Sequence, residues 1–248
     1  SGARAVTANR IYEVVMGALA QVVPDRVIPA SSGFCNPKVS GAVSPFTGKP
    51  FLAWMSAVGG VGAHRHRDGQ EATASPTNGT NTPVEVQEMN APVFIERMEL
   101  IPDSAGAGRF RGGMALRKDL RLVADVTNLG DRYENQPYGL EGGLSGICAA
   151  TVLNPDTPEE RYLHSKGTYA LKKGDVLSMR TAGAGGFGAP KLRDPARVLG
   201  DVRAGLVSIE AARDIYAVAI RPAPLAIDEA ATAKLRAATS PSVLEQAS

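Results

Sequence analysis

Residues 81–122 read NTPVEVQEMNAPVFIERMELIPDSAGAGRFRGGMALRKDLRL, and the way this stretch folds decides the architecture. In APVFIERMEL, Val93, Ile95 and Arg97 alternate with Phe94, Glu96 and Met98; in LRKDLRLVADV, Leu116, Leu120 and Leu122 give a looser alternation. Such period-two patterning predicts strands. The glycine-rich GAGRFRGG between them predicts a tight turn. Just upstream, Glu85 and Glu88 bracket a Pro-Val start. A strand would send these carboxylates to opposite faces and a helical turn to one face. Paired carboxylates suit acid/base work, while capping of a helix start or surface ion pairing is the plainer reading.

Outward from this stretch, SGICAATVLN and TYALKKGDVLSMRT read as further strands. PFTGKPFLAWMSAVGG reads as a turn at Thr47-Gly48 and a strand over 51–58, and residues 59–82, rich in Gly, Thr, Asn and Ser, as one long loop of the kind that often carries function. Near the N-terminus Ile11, Val14, Val15, Ala18, Leu19 and Val22 fall at helix-face spacing, with Thr7 or Asn9 as cap and Pro24 as stop. At the other end PARVLGDVRAG, SIEAARDIYAVAI with Ser208 as cap, and DEAATAKLRAA with Asp228 as cap predict helices, Gly205 separating the first two. The expected fold class is α+β, with a β-rich middle and helices at both ends. The expected division is 1–220 followed by a helical tail over 221–248. No internal period of 20–50 residues emerges.

The totals restrict function less than the motifs do. The 248 residues include 27 Lys and Arg against 25 Asp and Glu, without a basic run, so a nucleic-acid partner is not expected. No stretch nears the roughly 18 apolar residues of a membrane span. Cys35 and Cys148 are far apart with no C-x-x-C spacing, which suggests a cytoplasmic protein whose cysteines are small buried apolar residues. Ser31, Ser32 and Ser104 do not form a nucleophile elbow.

Several constellations could carry chemistry. RTAGAGGFGAP places Gly183, Gly185 and Gly188 at dinucleotide-motif spacing, but Ala189-Pro190 follow and the next helix is expected only at Asp194-Pro195, so no helix N-terminus opens inside the motif. His64, His66 and Asp68 alternate as metal ligands would, yet Arg65 and Arg67 sit between them. Arg109 and Arg111 on a glycine-rich loop suit a carboxylate or phosphate, or else a hairpin with its arginines in solvent.

The phrases in 81–122, in this order, resemble the hydantoinase B/oxoprolinase family, which has a TPVE-type segment and a DSGGAGxxRGG-type loop. GGVGA at 59–63, YGLEGGLSG at 138–146 and KKGDVLSMRTAGAGGFGAP extend the resemblance over nearly the whole chain. The resemblance implies a subunit, or C-terminal segment, of a multi-subunit ATP-dependent cyclic amidase that opens hydantoins, lactams or 5-oxoproline. It implies a hydantoinase A-like partner that binds ATP, with divalent metal also on partner subunits. The alternatives are a subunit of an ATP-dependent ketone carboxylase of the acetone or acetophenone type, and a non-catalytic assembly subunit. Within such a pocket the resemblance points to Asp68, Glu85 and Arg111 as catalytic members and to Asn78, Gly112 and Gly113 as substrate-binding, with no metal ligand in this chain. Family members are usually more than twice as long and carry an NDPxxxGTH-type stretch in their N-terminal half. That stretch is missing here, so the chain reads as the C-terminal part of a hydantoinase B-like fold, with the N-terminal half as a further expected partner. Serine at Ser75, where the hydantoinase branch tends to carry histidine, leaves a carboxylase open.

Overall fold

The computed structural model describes residues 4–35, 38–43, 47–73, 75–76, 79–122 and 124–238. The chain begins with α1 (Arg4–Ala20), followed by the strands β1 (Phe34–Cys35), β2 (Lys38–Val43), β3 (Pro50–Trp54) and β4 (Ala57–Val58). Then come α2 (Val84–Asn90), β5 (Phe94–Leu100), β6 (Leu116–Arg121) and β7 (Asp125–Leu129). Next are β8 (Ala150–Leu153), β9 (Arg161–Leu163), β10 (Lys166–Ala170) and β11 (Val176–Arg180). The C-terminal part holds α3 (Pro195–Arg203), α4 (Ile209–Asp214), β12 (Ile220–Pro222), β13 (Leu225–Ile227) and α5 (Glu229–Ala237). The fold is α+β.

Two antiparallel sheets carry the main core, one in the order β5-β6-β11-β8-β9 and the other β10-β7-β2-β3. Leu120, Val126, Leu177 and Met179 are fully buried in the apolar layer they share, with Ile95 and Leu153 beside them. The alternation in residues 93–98 holds only to Ile95. A β-bulge between Ile95 and Arg97 shifts the register, so Met98 and Leu100 turn toward the core and Arg97 turns to solvent. An extra residue on one strand reverses which face later side chains occupy.

Two other expectations change, at residues 51–58 and at the start of α1, and the alternative left open for Glu85 and Glu88 is settled. The strand expected over 51–58 is two strands, because the chain leaves one sheet after Trp54, passes Met55 through the core, and pairs Ala57–Val58 with β1. Glu85 and Glu88 lie on a helix, and Glu88 Oε1 accepts the Ile95 N–H at 2.8 Å, joining α2 to β5. The helix α1 starts before Thr7 and Asn9, so neither caps it, and its apolar stripe faces outward rather than into the core.

The C-terminal helices follow their caps. Asp194, Ser208 and Asp228 each accept a backbone N–H of the first turn of α3, α4 and α5. The expected second helix stops at Asp214, and β12 and β13 form a hairpin before α5. Val198, Val207, Ala212, Tyr216, Val218 and Ile220 form a second core, against which Leu225 and Ile227 pack.

Candidate functional site

Four of the residues singled out by the sequence, Asp68, Arg111, Gly112 and Gly113, meet where four glycine-rich segments, 59–71, 104–114, 138–147 and 182–188, lie against one another. Their backbones exchange hydrogen bonds outside any regular sheet: Gly113 N donates to Val61 O, Ala184 N to Gly113 O, Gly69 N to Arg111 O, and Leu144 N to Ala107 O. The approach is so close that a Cβ on Gly113 would lie 2.6 Å from Gly60 Cα and one on Gly112 would lie 2.8 Å from Gly185 O. Glycine is the one residue that fits such backbone-to-backbone packing. At Gly112 and Gly113 the group that comes close is this chain's own backbone.

A buried charge network fastens this layer to α3. The Asp68 carboxylate accepts two hydrogen bonds from Arg193, at 2.7 and 2.9 Å, and the Arg111 N–H at 2.9 Å. Asp201, on α3, accepts from Arg193 Nη2 at 2.7 Å and from Arg111 Nε at 3.2 Å. Glu71 accepts from Arg111 Nη1 at 2.6 Å and from the Met114 N–H at 2.5 Å. Arg197, itself half exposed, stands 3.5 Å from Asp68. Three carboxylates thus face three guanidiniums, and Arg193, the innermost, is 1% exposed. Its own carbonyl accepts from Arg236 on α5.

The charges are held in their ionised forms. Burial pushes the Asp68 carboxyl upward, but hydrogen bonding and charge from Arg193, with the Arg111 N–H, outweigh it and hold Asp68 below the ordinary carboxylate value. Burial would lower Arg111, yet Glu71 and Asp201 raise it instead. Arg193 is raised in the same way, by Asp68 and Asp201 against burial. Buried pairs with this many hydrogen bonds offset their desolvation, and losing one member leaves a buried charge uncompensated.

Among the sequence candidates, Asp68 and Arg111 are therefore brought together, with Gly112 and Gly113 beside Arg111. Glu85 is exposed in the first turn of α2 and takes no part in the network. Asn78 lies outside the described residues. Arg193, Asp201 and Glu71 complete the network, and no local motif marks them, because their partners are remote in sequence. The same is true of Lys118, fully buried on β6, where its ammonium donates to Gln87 Oε1 and to Ser56 O.

The cavity beside Arg111, walled by Asp103, Ala107, Met114 and Tyr216, measures about 20 Å³. That is room for one water and not for a lactam. Burial pushes the Tyr216 phenol upward, so it stays protonated. Arg111 Nε and Nη1 are already engaged, which takes it out of the anion-cradling role weighed for the Arg109/Arg111 loop, while Arg109 stacks on the Phe110 ring at 5.6 Å.

Among the described residues, those at this site do not fit a metal ion or a nucleotide. Asp68 is occupied by Arg193, and Arg67 stands 3.3 Å from His64 Nε2. Burial, then Arg67 and His66, lower the His64 pKa. Among the described residues no group of three or more His, Cys, Asp or Glu could hold a metal ion. After Gly188 the backbone makes only a short turn over Pro190–Leu192, and α3 opens at Pro195, beyond reach of the glycine segment.

Comparison with known proteins places this geometry. The profile of the family described as hydantoinase B/oxoprolinase matches residues 1–190. The chain belongs to that family. An uncharacterised protein of Methanocaldococcus jannaschii is 34% identical to this hydantoinase B-like chain over 235 residues, covering 93% of it and 40% of the relative. Caprolactamase subunit beta of Pseudomonas jessenii is 30% identical over 244 residues, covering 92% of the chain and 41% of the relative. The crystal structure of the ATP-dependent caprolactamase of that organism superimposes with a TM-score of 0.76 over 89% of this chain and 40% of that one. Nucleotide-free acetone carboxylase shares the fold, with a TM-score of 0.69 at 19% identity over 89% of this chain and 34% of that one. The hydantoinase B-like chain thus spans about 40% of the length of these two relatives. No helix among its described residues is long and apolar enough to cross a membrane.

Proposed function

We propose that this chain is one component of a multi-subunit, ATP-dependent cyclic amidase that opens lactam, hydantoin or 5-oxoproline rings. The observation that carries the proposal is the match of nine-tenths of the chain, in sequence and in fold, to the beta subunit of an ATP-dependent caprolactamase. The chain's own geometry supports a component rather than a complete active site. Its charge network is closed on itself, the cavity at Arg111 admits one water, and among the described residues no group of three or more His, Cys, Asp or Glu could hold a metal ion. ATP and a divalent ion then belong to other subunits, a hydantoinase A-like chain and the N-terminal half of a hydantoinase B-like chain.

Within that assembly we assign Asp68 and Arg111 to positioning. They fasten the glycine layer to α3 and fix Gly112 and Gly113 against the backbone of Gly60, Gln70 and Ala184. Glu85, exposed on α2, is the sequence candidate we leave to face substrate or partner. A ketone carboxylase is the second reading, favoured by the fold shared with acetone carboxylase and by serine at Ser75. Reconstitution with both partner polypeptides separates the two. ADP release coupled to opening of caprolactam, hydantoin or 5-oxoproline supports the amidase, whereas ADP release that requires bicarbonate and acetone or acetophenone supports the carboxylase. If neither occurs and the complex still assembles, an assembly role remains. As positioning residues, Asp68→Ala and Arg111→Ala should lower turnover roughly tenfold or more and lower the melting temperature with it. Unchanged turnover would end this assignment.

A further inference from the structure

On the face of the five-stranded sheet turned away from the shared core, two arginines stand in direct register. Arg180 on β11 lies opposite Arg117 on β6 and, on its other side, opposite Ala150 on β8. Like charges set directly across a ladder repel. Arg117 has counterions: its Nε donates to both oxygens of Asp119, at 3.1 and 3.0 Å, and its Nη2 to Asp156 Oδ2 at 2.9 Å. Arg180 has no such carboxylate among the described residues. Its single hydrogen bond there runs from Nε to Ser178 Oγ at 3.4 Å, which leaves Nη1 and Nη2 unengaged. Asp156 is held below the ordinary carboxylate value chiefly by Arg117, with the charge of Arg180 a lesser cause.

Arg180 borders a depression of about 370 Å³, within the size range of small-molecule pockets. The walls are mostly hydrocarbon, from Ile101, Pro102, Ile147, Ala150 and the ring of Tyr162, with Cys148 beside them. Ala150 is too short to fill the space next to Arg180. Because β11 is hydrogen-bonded to a strand on each side, the guanidinium rises from a rigid element rather than a loop. Glu99, at the rim, is held by Arg97 at 3.3 Å. The larger adjoining cleft, about 570 Å³ around Arg97, Arg117 and Asp119, differs in having its arginines matched by carboxylates. We propose that the depression at Arg180 binds a small carboxylate carried on an apolar body, its two oxygens taken by Nη1 and Nη2 and its hydrocarbon laid against Ile101, Ile147 and Tyr162. One guanidinium in apolar surroundings balances a single negative charge, which favours a carboxylate over a phosphate dianion. The inference is independent of which reaction the assembly performs.

The test is isothermal titration calorimetry of the chain with hexanoate, and with hexanamide as its uncharged counterpart. Hexanoate should bind at one site and hexanamide roughly tenfold more weakly or worse, since a charge-assisted pair is lost. Arg180→Met keeps the hydrocarbon stem and should weaken hexanoate by a similar factor. Its urea midpoint should be unchanged or raised, because a like-charge neighbour of Arg117 is removed. A second readout locates the ligand without a variant: saturating hexanoate should slow alkylation of Cys148 by iodoacetamide, followed by peptide mass spectrometry, and hexanamide at the same concentration should not. If Arg180→Met unfolds, this protection and the comparison of hexanoate with hexanamide decide. Equal affinity for the two compounds would make the depression an apolar one and overturn the proposal. Hexanoate binding that Arg180→Met leaves undiminished, or that leaves Cys148 alkylation unchanged, puts the ligand elsewhere and overturns it too, as does the lack of any binding.

Discussion

Asp201 holds two guanidiniums at once, Arg111 and Arg193, so it is the residue on which the buried network turns. Asp201→Ala should cost about 3–5 kcal/mol of stability, because it leaves both cations short of a partner in a buried setting; chemical denaturation of the chain measures it. Asp68 gives a pH dependence. Its folded value lies below the ordinary 3.8, so its contribution is fully present above about pH 4 and is lost as pH falls through the depressed folded value. The fall in urea midpoint below pH 4 should therefore be shallower in Asp68→Asn than in the unaltered chain. Glycines divide by what surrounds them. Gly113→Ala would drive a Cβ into the backbone of Gly60 and Gln70 and should prevent folding of the layer. Gly200→Ala, exposed within α3 with nothing within 4 Å, should stabilise the chain by about 1 kcal/mol in a thermal or urea titration. At this scale the family phrases singled out Asp68 and Arg111, which the structure joins through the Arg111 N–H. They could not mark Arg193, Asp201 or Glu71, since an ion pair between residues far apart in the chain leaves no local pattern.

At the scale of elements, local rules worked where the signal is local. Three side-chain caps at Asp194, Ser208 and Asp228 start three helices as read. Asp194→Ala should cost about 1 kcal/mol, and exchange of the first-turn amides of α3 should quicken with it. Periodicity gave the strands but not their phase or their sheet. The bulge at Ile95/Arg97 and the change of sheet between Trp54 and Ala57 are set by pairing partners elsewhere. In α1 the periodicity found the helix and its apolar stripe, while the side that is buried was decided by Glu13, Arg132 and Asp131, a polar contact that a hydrophobic pattern does not encode. The short β12–β13 hairpin was masked by alanine-rich sequence that reads as helix.

At the scale of the whole molecule, the glycine layer and the charge network that fastens it to α3 belong to the part of the hydantoinase B fold that this chain shares with its relatives. Family phrases carried the family from the sequence; the smallness of the cavity at Arg111 and the direction of the α1 stripe required coordinates. The central claim is that the chain works as a component beside an ATP-binding subunit and the rest of a hydantoinase B-like subunit. The most direct test is native mass spectrometry of the untagged protein, gently purified from its source. The account predicts a defined assembly in which this chain, a hydantoinase A-like chain and an N-terminal hydantoinase B-like polypeptide occur in fixed ratio. A lone, stable monomer or homo-oligomer would contradict it.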